Sequence, residues 1–101
     1  MKKQIQIALA GTLLVVAQAS FAAGDAAAGK ARAASCAGCH GAAGVSASDV
    51  WPNLAGQKAG YIVKQLKAFR DGSKKDPMMS PMAKPLSDAD IENLAAHFSS
   101  L

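Results

Sequence analysis

Residues 35–41 read SCAGCHG, and the placing of two thiols and an imidazole in them governs how the rest of the chain is read. Cys36 and Cys39 are the only cysteines in 101 residues, and His40 follows the second directly. Three chemistries use such a pattern. A thioredoxin-type Cys-x-x-Cys belongs in a βαβ setting, and no strand-like run precedes this one. A structural zinc site needs four ligands. Cys36, Cys39, His40 and the distant His97 make up that number, but adjacent Cys39 and His40 are strained to serve one tetrahedron. The third chemistry is covalent haem attachment, Cys-x-x-Cys-His. Its two sulfurs reach the two vinyl groups on one porphyrin edge, and the adjacent histidine comes to lie beneath the iron. On this reading Cys36 and Cys39 form thioethers to one haem c, and His40 is the proximal iron ligand.

Working outward to the N-terminus, Lys2 and Lys3 precede an apolar run from Ile5 to Ala17, followed by small residues ending SFAAGD. This is the charged, apolar and small-residue succession of a signal peptide, with cleavage after Ala22. The run is short for a membrane span, which needs about 20 apolar residues. The expected organisation is therefore a signal peptide at 1–22 and a haem domain at 23–101, exported, in a bacterium, to the periplasm, with no permanent membrane insertion. Loss of Lys2 and Lys3 lowers the formal charge from +4 to +2. No dense basic block remains and only five aromatic residues are present, so nucleic-acid binding is set aside.

A domain of this size has little side-chain core, and natural examples usually add disulfides, a metal or a cofactor. The pattern inside it is helical. Gly24-Asp25 offers a cap before an alanine-rich run to about Ser35. A second helix fits about Gln57 to Arg70, with Ile62, Leu66 and Phe69 on one stripe and Gly72 as a stop. The third is the clearest: Ser87 and Asp90 form a capping-box pattern ahead of Ile91, Leu94 and Phe98. Between these lie two long linkers, Gly41 to about Gly56 and Asp71 to Leu86. The second holds residues 77–84, PMMSPMAK, which two prolines keep from being a regular helix. The expected class is all-α, three main helices and two long loops around one cofactor. A flat, largely apolar macrocycle would complete the core, so the chain without it is expected to be unfolded or nearly so.

Beyond the pentad, GDAAAGKARAASCAGCHG, WPNLAGQ, YIVKQLKAFRDG and MMSPMAKPLSDADIENLAAHF resemble a small bacterial class I cytochrome c, similar to one domain of the dihaem periplasmic cytochromes c. The resemblance covers essentially all of residues 23–101. It implies the class I cytochrome c fold, an electron-transfer function, and His/Met ligation of one covalently bound haem iron. Residue chemistry alone does not choose among the thioethers of Met78, Met79 and Met82. In similar sequences the ligand stands eight residues before the capping serine, in the frame Met-x-x-x-Ala-x-x-Leu-Ser. Counting back from Ser87 implies Met79, with Met82 as the alternative. The resemblance further implies that the Pro52 carbonyl accepts the second ring N–H of His40. Trp51 is a candidate to cover the haem or bind a propionate, and loop packing is its bland alternative. Tyr61, Gln57, Arg70 and Lys74 are weaker candidates for propionates. Gly29 resembles the small residue at which first and last helices cross, against Phe98. His97 departs from the tyrosine common at that position and reads as a partly exposed packing residue.

Two functional classes compete. A carrier keeps its iron six-coordinate in both oxidation states. A catalytic or ligand-binding haem leaves the sixth position open, as in the cytochromes c-prime, whose pentad lies near the C-terminus. Here the pentad lies early and a methionine is at hand, which favours the carrier. The expected protein is thus not an enzyme but a monomeric shuttle between redox partners, such as a quinol-oxidising complex as donor and a terminal oxidase or reductase as acceptor. Lys58, Lys64, Lys67, Lys74 and Lys84 are expected to form a weakly basic rim.

Overall fold

Asp25 opens the first helix: its carboxylate accepts the N–H groups of Ala27 and Ala28 at 2.9 and 3.2 Å, two of the donors that a helix start leaves unpaired. The computed structural model describes residues 24–101. Residues 1–23, and with them the reading of 1–22 as a signal peptide, lie outside the described residues. Helix α1 runs Ala26–Arg32 and tightens into a 3-10 turn at Ala33–Ser35. One further turn, α2, covers Ala37–His40. Helix α3 spans Ala59–Asp71 and stops at Gly72; α4 is Met79–Ala83, and α5 is Asp88–Ser99. Among the described residues there is no strand, and no helix is long and apolar enough to cross a membrane.

Helix α5 is the centre of the assembly. Ser87 and Asp90 cap it reciprocally, each side chain accepting the other's backbone N–H at 3.0 Å. Its inward face then buries Ile91, Leu94, Ala95 and Phe98, with Ile91 fully enclosed. Helix α1 crosses this helix closely, and the Asp25 N–H donates to the Asn93 side chain at 2.8 Å. Gly29 makes the approach possible, since a Cβ there would stand 1.9 Å from the Asn93 carbonyl oxygen. The other neighbour of that Cβ is His97, at 3.0 Å from its own Cβ. Gly29 thus meets Asn93 and His97 first, beside the expected Phe98. His97 in turn is only 8% exposed, which corrects the reading of it as partly exposed. The missing side chain on α1 lets the two helices close at Asn93 and the His97 Cβ.

The 77–84 segment also differs from expectation. It contains a helical turn, α4, in place of a plain loop. Pro81 falls in the first turn of α4, where an amide N–H has no helical partner to lose. Asp76 organises the start. Its carboxylate accepts the N–H groups of Met78 and Met79 at 2.8 and 2.7 Å, and its own N–H donates to Ser80 Oγ at 3.0 Å. Ala83 and Leu86 anchor the far side of the segment in the core. The pair Asp76-Pro77 is itself a helix-start signal that could have revealed this turn.

Candidate functional site

The 3-10 turn delivers the pentad without a break. Cys36 N–H donates to the Ala33 carbonyl at 2.8 Å, and His40 N–H to the Cys36 carbonyl at 2.9 Å. Cys36, Cys39 and His40 thus occupy one helical turn, at the three- and four-residue spacings that share a helix face. The two thiols are free and half-buried. Burial pushes the Cys36 thiol up, against the lowering effects of Ser35 and Arg32.

His40 is buried, and its Nδ1 lies 2.7 Å from the Pro52 carbonyl oxygen. A carbonyl can only accept, so this contact requires the proton on Nδ1 and leaves Nε2 as a bare lone pair. The carbonyl is placed by the loop between α2 and α3. Gly41, at φ 91°, turns the chain where a Cβ would collide with the Val45 carbonyl oxygen, 2.0 Å away. The Gly44 carbonyl then accepts both Leu54 and Ala55 N–H groups, at 2.7 and 3.0 Å, and Asn53 takes the Ser46 N–H at 2.7 Å. At its end Gly56 N–H donates to the Phe98 carbonyl at 2.8 Å, tying the loop to α5. Trp51 sits half-buried next to Pro52 in this closed loop.

The three methionines of the other loop are not equivalent. Met78 and Met82 are 52% and 44% exposed, whereas Met79 is half-buried at the head of α4. Met79, Ala83, Leu86 and Ser87 follow one another in a register set by the two buried residues and the α5 cap.

Of the residues considered for propionates, Tyr61 is half exposed. Arg70 and Lys74 have other partners. Arg70 donates through Nε to Asp71 at 2.8 Å and through Nη1 to Asp88 at 2.7 Å and the Leu86 carbonyl at 3.3 Å. Those hydrogen bonds, to Asp71 first and Asp88 next, raise its affinity for its proton still further. Lys74 contacts the Gln65 side-chain oxygen and lies 5.1 Å from the centre of the Phe69 ring.

The donor set suits haem and not a four-ligand metal ion. Among the described residues no three His, Cys, Asp or Glu side chains converge on one metal position, as a structural zinc site would demand. The apolar packing points the same way. The buried core is eight residues, three of them alanine, while Cys36, Leu54, Val63, Leu66 and Phe69 are packed against it only partly buried. A large apolar group bonded at Cys36 and Cys39 is of the kind that would complete it.

A family model described as Cytochrome c matches residues 26–101. The chain is 47% identical over 81 residues to cytochrome c-554(548) of Halomonas halodenitrificans, across 77% of this chain and 98% of that one. It is 40% identical over 102 residues to a thiosulfate dehydrogenase electron acceptor of Thiomonas intermedia, across 100% of this chain and 45% of that protein. The crystal structure of reduced recombinant cytochrome c4 from Pseudomonas stutzeri matches with a TM-score of 0.73 at 44% identity, over 77% of this chain and 46% of that one. The chain therefore spans nearly all of the first relative and under half of the other two. Pentad, helical architecture and relatives agree: the chain belongs to the cytochrome c family and is a class I, haem-binding electron-transfer protein.

Proposed function

We propose that this protein is a periplasmic electron carrier with a single haem c, bonded at Cys36 and Cys39 and ligated at iron by His40 and Met79. The observation that carries the reading is the short contact between His40 Nδ1 and the Pro52 carbonyl. It holds the ring in the tautomer a proximal ligand needs and makes Nε2 more basic. When bound, the haem supplies a one-electron Fe(III)/Fe(II) couple. Met79 contributes a neutral, polarisable thioether, which favours the ferrous state and a raised potential. Trp51, half-buried beside Pro52, covers the haem or binds a propionate through its indole N–H. Two strong-field ligands kept in both oxidation states leave little to rearrange when an electron moves, which suits a carrier and not an enzyme.

Its partners are redox proteins: a quinol-oxidising complex as donor and a terminal oxidase or reductase as acceptor. Lys58, Lys64 and Lys84 are exposed and available to a docking rim. With a formal charge of +2 once residues 1–22 are removed, steering is weak. Visible spectra of oxidised and reduced protein, with a potentiometric titration, test the reading. A haem c spectrum and a sulfur-to-iron band that disappears in Met79→Ala are expected. Loss of that band in Met82→Ala but not in Met79→Ala transfers the ligand to Met82. A folded, colourless protein carrying zinc overturns the whole proposal.

A further inference from the structure

The segment that carries Met79 leaves α3 at Gly72 and returns at Leu86, and one side chain bridges its two stems. Arg70, in the last turn of α3, reaches the Leu86 carbonyl at 3.3 Å and Asp88, in the first turn of α5, at 2.7 Å. Asp71 aims that guanidinium from behind, at 2.8 Å from Nε. The arginine side chain is 20% exposed and the Asp88 side chain 72%. The bridge closes the stretch between Arg70 and Leu86, which stand 16 positions apart. A planar fork that meets two carboxylates and a carbonyl at once is a task lysine cannot copy. Inside the closed stretch, Asp76 fastens the backbone at Met79 itself through the Met78 and Met79 N–H groups. Ser80 completes this inner tie, its hydroxyl accepting the Asp76 N–H at 3.0 Å and its own N–H donating to the Asp76 carbonyl at 3.0 Å.

We propose that Arg70 and Asp76 are positioning residues for the distal iron ligand, Arg70 closing the stems of the methionine segment and Asp76 fixing the backbone from which the Met79 thioether projects. This rests on Met79 being the distal ligand. The partners that both residues have are protein groups. The effect of the two residues is on how often the thioether departs, because a closed, pinned segment has to loosen before the sulfur can leave. Arg70 thereby acquires a role other than a propionate contact, and Asp76 one that its place outside the haem-binding pentad does not suggest.

The test is the rate at which added imidazole binds ferric, haem-loaded protein at 25 °C, a rate limited by departure of the native ligand. Arg70→Gln and Asp76→Ala are each expected to raise it about tenfold, the scale of losing a charge-assisted hydrogen bond. Arg70→Lys is expected to recover only part of the loss, and Asp76→Asn, which keeps one acceptor, more of it. A merely structural role lowers the thermal midpoint and leaves the imidazole rate at 25 °C unchanged; that result, with the sulfur-to-iron band still lost in Met79→Ala, overturns the proposal while the ligand assignment stands. If Met79→Ala itself keeps the band, the ligand assignment fails first. Should the variants not fold, amide exchange in the unaltered protein decides. The Met78 and Met79 N–H groups are expected to be protected, and exchange at the rate of free amides overturns the role of Asp76.

Discussion

The two loops that flank the pentad and the last helix secure their key side chains by different means. On the proximal side, His40 meets a backbone carbonyl twelve residues away, and the loop that brings it is closed by main-chain hydrogen bonds around Gly44. In the loop proposed to carry the distal ligand, the Asp76 carboxylate holds the Met79 N–H and Arg70 joins Asp88 across the stems. Main-chain ties are indifferent to pH and salt and hard to remove by substitution. Ion pairs and carboxylate caps respond to both. On the proposed ligand assignment, the histidine side is therefore expected to respond less to pH and salt than the methionine side.

Four substitutions break or sharpen that contrast. The largest effect is expected when Cys36 and Cys39 are both replaced by Ala, since the proposed thioether bonds to the haem go. The variant is expected to lose its colour in acid–acetone extraction and most of its far-ultraviolet helical signal at 25 °C, the behaviour of a small domain deprived of its core. Next is Gly29→Ala. Its Cβ would meet the Asn93 backbone, which cannot swing aside as a side chain would. A cost of about 3 kcal/mol, or a fall in Tm of roughly 15 °C, is expected in thermal unfolding. That change disturbs α1, the helix that presents the pentad, and not the distal segment.

The third concerns acid. The Arg70 hydrogen bond, followed by the charges of Lys67 and Arg70, holds the Asp88 carboxyl below its ordinary value of 3.8. Arg70 does the same for Asp71. A folded-state value below the unfolded one means a contribution present at neutral pH and lost as pH falls through the folded value. Stability is therefore expected to drop below about pH 4. Asp88→Asn flattens this limb of Tm against pH without abolishing it, because Asp71 remains. Smallest is Pro52→Ala, which keeps the carbonyl and removes only the restriction on φ. A loss of about 0.4–1 kcal/mol is expected, with a small change in potential. A large change would show that the ring of Pro52, and not its carbonyl, matters to His40.

The same contrast explains what could be read from the chain alone. The pentad, the Ser87–Asp90 capping box and the apolar stripe of α5 are local patterns, and the structure has each where the spacing puts it. Helix α4 is harder to read, because Pro77 and Pro81 argue locally for a loop while Asp76-Pro77 is also a helix-start signal. Arg70 could not be assigned from spacing, because its partner Asp88 is 18 residues away and a basic residue on a helix usually faces water. His97 shows the same limit. Nothing local distinguishes it from an edge residue, and its burial follows from a glycine on a different helix.

The tie between Asp25 and Asn93 joins residues 68 apart. Helix α1, which leads into the pentad, therefore takes its partner from the far end of the chain. A truncation that removes α5 is expected to free the start of the haem-binding turn as well, although every residue of the pentad is still present.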